Sequence, residues 1–252
     1  MGSKRIIVLA IVLCILGSVS WLLFRPKRVV APAITVVRHT TPATTNSPSP
    51  TLPPAFNKHA YSNDDPTSIW VVVNKSRPLQ PVNYAPADLM TPSIGGGQIR
   101  AVVAPALEKL AQDASKAGLP LKLISGYRSY TTQQSVYGGY VTNNGQAAAD
   151  TFSARPGHSE HQTGFAADLG NSNGSCDLDQ CFGSTPLGQW LAANAYKYGF
   201  VIRYQQDKTP ITGYEAEPWH VRYVGIDLAL QLHANGQTLE EFFGLPAAPT
   251  YP

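Results

Sequence analysis

The 252-residue chain is expected to fold as an α+β domain, a single compact unit with a small antiparallel sheet flanked by helices. Three observations point there. Residues 99–116 carry apolar side chains at helical spacing (Val103, Leu107, Leu110, Ala114), with Gly118 just past the end as a C-cap. Short β-branched or alternating runs at 121–125, 200–204 and 220–224 read as strands. Helices followed by several short strands with hairpin-sized loops favour an antiparallel sheet.

Taken in order, Ile69-Trp70-Val71-Val72-Val73-Asn74 is β-branched and short, and is expected to open the domain as a strand near Ser68. The helix at 99–116 follows, then a strand at 121–125. After Gly126-Tyr127-Arg128-Ser129 a second helix is expected from Thr131, with a threonine cap. Ala166-Ala167-Asp168-Leu169 reads as another short strand. Residues 186–198 read as a helix with Pro186 in its first turn and Gly199 as terminator. The two later strands come next, and residues 226–233 and 239–243 close the domain helically.

The N-terminal part reads differently. Ile6 to Phe24 is almost unbroken apolar sequence between Lys4-Arg5 and Arg25, Lys27 and Arg28. About 20 apolar residues span a bilayer as a helix, so its length suffices for a membrane anchor. A cleaved signal segment is the competing reading, with residues 6–16 as its core and Ser18 and Ser20 before the cut. Trp21-Leu22-Leu23-Phe24 continue the apolar run past that point, which favours an uncleaved transmembrane helix. Residues 29–65 are rich in Pro, Thr and Ser and read as an extended, solvated tether. The expected organisation is therefore an anchor at 1–28, a linker at 29–65 and a folded domain at 66–252, held outside the cytoplasm as a monomer.

Composition narrows the function classes. Apolar residues at 43% and aromatics at 10% fit a globular domain. A net charge of +3 with no basic stretch outside the flanks of the apolar run gives nucleic acid nothing to bind. Cys14 lies inside the apolar run. Cys176 and Cys181 are close in sequence, and in an oxidising compartment a disulfide closing a short loop is expected. Free thiols and a metal site are the other readings, although two thiols alone cannot fill a four-ligand zinc site.

The chemistry concentrates in two segments. Ser159-Glu160-His161-Gln162-Thr163-Gly164-Phe165-Ala166-Ala167-Asp168 and Glu217-Pro218-Trp219-His220 together offer two imidazoles, a carboxylate and a second carboxylate three residues before a histidine. Three N/O donors and a nearby base suit a catalytic zinc site, which keeps its fourth position open. A glycine at 164 lets the chain fold back so that His161 and Asp168 can share a cleft. Either segment alone is weak; with Gly126-Tyr127-Arg128-Ser129 upstream, the combination is specific. His158 sits three residues before His161 and reads chiefly as a structural, hydrogen-bonding histidine.

Those segments resemble the VanY-type zinc D-Ala-D-Ala carboxypeptidases, a group related to VanX dipeptidases and L,D-carboxypeptidases. The likeness runs through Ser125 to Tyr130 with Gln133, through Pro156 to Gly164, and through Glu217 to Gly225. Phe165 stands where a leucine is expected, a mild apolar exchange. The resemblance implies that His161, Asp168 and His220 bind Zn2+ and that Glu217 is the general base. It implies that Arg128 steadies the substrate carbonyl or the developing oxyanion. Ser159, Gln133 and Trp219 would contact substrate, a D-Ala-terminated peptidoglycan stem peptide.

Other hydrolase types fare worse. No lysine has a serine three positions before it, so the S-x-x-K of serine-type penicillin-binding enzymes is missing. Gly157-His158-Ser159-Glu160-His161 lacks the last glycine of a nucleophile elbow. A non-catalytic wall-binding module on the same fold would keep the cleft but lose the base, ligands or arginine, and all of these are present.

Overall fold

The computed structural model describes residues 56–252. Its centre is a four-stranded antiparallel sheet in the order β3 (Leu121–Ser125), β4 (Ala166–Asn171), β6 (Glu217–Tyr223), β5 (Phe200–Tyr204). A two-residue ladder of β1 (Leu89–Met90) and β2 (Ile99–Arg100) precedes it. The helices are α1 (Ala104–Lys116), α2 (Tyr130–Asn144), α3 (Gln146–Phe152), α4 (Pro186–Asn194), α5 (Thr209–Thr212), α6 (Ile226–Asn235) and α7 (Leu239–Phe243). The α+β expectation with an antiparallel sheet holds.

Successive strand residues point to opposite faces of a sheet. Ala167 and Leu169 of β4, Val221 of β6, Leu123 of β3 and Phe200 of β5 join the core that buries Leu107, Leu110 and Ala114 of α1. The alternate residues Asp168, His220 and Arg222 are buried as well, on the sheet's other face. A second cluster joins Trp70 and Val72 to Leu228 and Leu232 of α6 and Leu239 and Phe242 of α7.

Several elements differ from expectation. Residues 69–74 form no strand; only Asn74 makes an isolated bridge, to Arg77. Side chains meet several of their carbonyls instead. Arg222 Nη2 donates to Ile69 O (3.1 Å) and Val71 O (2.7 Å), and Arg77 Nε donates to Val72 O (3.2 Å). The first helix starts at Ala104 rather than 99, because Pro105 belongs in a first turn and cannot sit in a helix interior. The cap of α2 is Ser129, whose Oγ accepts from Thr132 N at 3.1 Å, not a threonine. The helix at 186–198 stays α-helical only to Asn194 and tightens to a 3₁₀ turn before Gly199. Phe56 and Tyr61, from the stretch read as linker, pack their rings against Trp70. Among the described residues no helix is long and apolar enough to cross a membrane; the expected anchor at 1–28 lies outside them.

One irregularity shapes the site. Ile202 pairs with Val221, yet Tyr204 pairs with Glu217, so β6 holds extra residues at Pro218 and Trp219 relative to β5. Proline lacks the N–H a ladder needs and is accommodated at such a bulge. The strand thereby carries Glu217 round to the same side as His220.

Gly126 follows β3 where a Cβ would collide with the Gln98 carbonyl oxygen, whereas Gly138 in α2 faces open space. Gly126→Ala should destabilise the domain by about 1–3 kcal/mol through overpacking. Gly138→Ala should stabilise it by up to about 1 kcal/mol through helix propensity. Urea unfolding of both variants checks the opposite signs.

Candidate metal centre and active site

The site begins with strand register. Asp168 and His220 are direct partners across the antiparallel β4–β6 pair, so their side chains leave the same face side by side. His220 Nδ1 lies 3.2 Å from Asp168 Oδ1. His161 arrives from the 3₁₀ turn Glu160–Thr163, which Gly164 ends with φ 71°, a left-handed conformation open to glycine. Its Nε2 is 3.1 Å from Asp168 Oδ2. The two imidazole rings stand edge to face, 4.9 Å between centroids.

These three side chains fit a divalent cation. One ligand atom from each lies within 4.8 Å of the others, and all three residues are buried. Donors about 2.1 Å from a tetrahedral ion sit roughly 3.4 Å apart, close to the two separations just given. Asp168 Oδ1 is buried without a hydrogen-bond partner, a cost that a cation would remove. His161 Nδ1 is 2.7 Å from Gly126 O. A carbonyl can only accept, so Nδ1 carries the proton and Nε2 keeps its lone pair facing the cluster.

Protonation tells the same story. Burial pushes the His161 imidazole below its usual value, against the pull of Asp168. Burial alone would raise the Asp168 carboxyl, but the two imidazoles outweigh it and hold it well below the carboxylate range. Burial opposes a charge on His220 too, yet contacts with Asp168 and Glu160 raise it to about 10. A proton there does in part what a metal ion would do more completely, neutralising clustered carboxylates.

Glu217 stands beside this cluster, its Oε2 3.5 Å from His220 Nδ1. Burial raises its carboxyl to about 8, with Asp168 and Glu160 pushing the same way and His220 and Arg128 opposing. A divalent cation held by the three donors would lower it toward the ionised form a base needs. Arg128 comes from the loop after β3. Its Nη2 donates to Ser125 Oγ (3.1 Å) and its Nη1 to Gln133 Oε1 (2.8 Å). Nη2 is also 3.9 Å from Asp168 Oδ2, so the guanidinium borders the donor cluster.

His161, Asp168, His220, Glu217 and Arg128 line one cleft of about 340 Å³ together with Ser159, Gln133 and Trp219. Gln133, expected to touch substrate, has both ends of its amide engaged, since Nε2 donates to Ala154 O at 2.6 Å. As placed, it orients Arg128. Trp219 also packs against the core. Cys176 and Cys181 form a disulfide, and their loop brings Leu178, Asp179 and Gln180 to the cleft wall. His158 stays apart from the cluster, its Nδ1 2.9 Å from Asn74 O.

Sequence reasoning passed over the layer beneath. Glu160, Arg203 and Arg222 are wholly buried, and Glu160 Oε1 accepts from Arg203 Nε (2.8 Å) and Arg222 Nη1 (2.7 Å). Tyr204 sets its ring 5.0 Å from that of His220. The available signal was strand alternation, which puts Arg222 on the same side as His220.

Comparison with known proteins agrees with this geometry. Residues 96–226 match the family model VanY, D-alanyl-D-alanine carboxypeptidase. The chain is 43% identical over 187 residues to the protein YodJ of Bacillus subtilis (strain 168), covering 71% of this chain and 68% of that one. The solved LdcB LD-carboxypeptidase superposes with a TM-score of 0.67 at 43% identity, over 71% of this chain and 87% of that one. A variant of the vancomycin-resistance D,D-pentapeptidase VanY in complex with Zn(II) superposes with a TM-score of 0.61 at 34% identity, over 69% and 98%. VanYB has also been solved with D-alanine-D-alanine, and matches at a TM-score of 0.61 and 34% identity over 70% and 97%. The cluster of three donors, the cleft and these likenesses together place the chain in the VanY D-alanyl-D-alanine carboxypeptidase family, as a zinc metallo-carboxypeptidase.

Proposed function

We propose that the protein hydrolyses the terminal peptide bond of peptidoglycan stem peptides and releases C-terminal D-alanine. The observation that carries this reading is the convergence of His161, Asp168 and His220 in a cleft that also holds Glu217 and Arg128. The three donors would hold zinc, which when bound would polarise the scissile carbonyl and make water a nucleophile near neutral pH. Glu217 sits outside the three donors yet beside them, where it takes a proton from the attacking water. The same carboxyl returns that proton to the amine nitrogen as the C–N bond breaks. Arg128, fixed by Ser125 and Gln133, presents its guanidinium to the oxygen that gains negative charge. Ser159 and Trp219 border the substrate.

The D,D bond of a D-Ala-D-Ala terminus is the first reading, supported by the family model and by the VanY likeness. An L,D-carboxypeptidase is the second, favoured by the higher identity to LdcB, 43% against 34%. The apolar run at the N-terminus and the Pro/Thr/Ser stretch after it support a membrane-anchored enzyme working outside the cytoplasm. An accessible tether of that composition would let the domain reach the wall.

The substrate reading is checked by mass spectrometry of D-alanine release from pentapeptide and tetrapeptide stems, with and without a chelator. Release from the pentapeptide, abolished by chelation and restored by zinc, is expected. Release from the tetrapeptide alone selects the L,D reading, and release from neither overturns the proposal. Glu217→Ala should lower kcat by about 10²–10⁴-fold while zinc content measured by atomic absorption stays at the wild-type level. Arg128→Ala should lower kcat by on the order of 10²–10³-fold. Wild-type turnover in either variant contradicts the role assigned to that residue.

A further inference from the structure

We propose that Glu160 is a positioning residue: its free carboxylate oxygen accepts a hydrogen bond from the Nε2–H of His220 and so presents His220 Nδ1 to the metal. This rests on the assignment of His220 as a metal ligand. The two ring nitrogens of His220 face different carboxylates. Nδ1 lies 3.2 Å from Asp168 Oδ1 and 3.5 Å from Glu217 Oε2, on the side of the cleft. Nε2 lies 3.4 Å from Glu160 Oε2. That contact is long for a hydrogen bond, and each of the two atoms is otherwise buried without a partner. Two orphaned polar atoms facing each other are what a modest closure of the site would pair.

Glu160 is built to stay an acceptor. Its other oxygen, Oε1, is saturated by Arg203 Nε at 2.8 Å and Arg222 Nη1 at 2.7 Å. Both arginines are anchored elsewhere. Arg203 forks onto Glu240 through Nη1 (3.0 Å) and Nη2 (2.6 Å), and Arg222 donates to Val71 O at 2.7 Å. The carboxylate is therefore clamped in one orientation with a single lone-pair edge left for the imidazole. His161 has the matching device in a neutral form, the Gly126 carbonyl on its Nδ1 at 2.7 Å. Each ring thus has its tautomer set from behind, one through Nδ1 and the other through Nε2. Glu160 lies next to His161 in sequence, so one turn supplies a ligand and the support for the other imidazole.

The test uses the purified full-length chain and reads zinc affinity by competition with a chelator, alongside circular dichroism. Glu160→Gln should weaken zinc binding by about 10–100-fold. Glu240→Gln is the control: it takes a carboxylate of equal depth from Arg203 but leaves His220 untouched. It should lower thermal stability and keep zinc affinity within about threefold. Zinc affinity in Glu160→Gln equal to that in Glu240→Gln overturns the proposal. Should Glu160→Gln fail to fold, ¹⁵N NMR of the imidazoles in the zinc-loaded wild type decides. A proton on His220 Nε2 is expected, and one on Nδ1 overturns the proposal. His220→Ala separates the underlying assignment. If that variant binds zinc as the wild type does, His220 is no ligand; if it loses zinc while Glu160→Gln does not, only the role of Glu160 fails.

Discussion

The pairing of Asp168 with His220 across two adjacent strands is the constraint on which the site depends. Because side chains alternate, a slip of one residue between β4 and β6 would send one of the pair into the apolar core. The core enforces the register from the other face. Ala167, Leu169 and Val221 are buried against α1, and turning any of them toward the cleft would expose apolar surface while burying a charge. Hydrophobic packing and donor geometry are thus two consequences of one alignment. His161 needs a different device, a tight turn closed by Gly164, because it must approach the pair from the side.

Beneath the cleft lies a chain of alternating charges, Arg222, Glu160, Arg203 and Glu240, all deeply buried. Networks of this kind are weak arguments for stability, since apolar replacements of similar volume are often neutral or stabilising. Their effect here is geometric. Arg222 satisfies the backbone of residues 69 and 71, and Arg203 ties β5 to α7. The network joins three remote segments to the strand that carries His220 and Glu217. Losing one member would strand a charge with no water to receive it.

Much of the fold was legible because its signals are local. The strands at 121–125 and 200–204 and the helix at 239–243 match their expected bounds; the first strand was marked by alternation and the second by β-branched residues after Gly199. Residues 69–74 misled because β-branching reports a buried extended segment, while a strand also needs a neighbour. Their neighbour is Arg222, some 150 residues on in sequence. Helix α3 was missed since its alanines carry no apolar period. In the site, the three donors were readable by residue type and spacing, and the structure brings them together. Glu160 was not readable, because a glutamate beside a histidine looks like a surface charge until Arg203 and Arg222 are seen to enclose it. Gln133 could be placed at the cleft but not seen to be held at both ends.

The central claim is that one divalent ion is held by two imidazoles and one carboxylate. Anomalous diffraction at the zinc edge, on crystals of the zinc-loaded protein, tests it directly. The account predicts a single strong peak about 2.0–2.2 Å from His161 Nε2, an Asp168 carboxylate oxygen and His220 Nδ1. A peak elsewhere, or one bound by only one of these side chains, would contradict it.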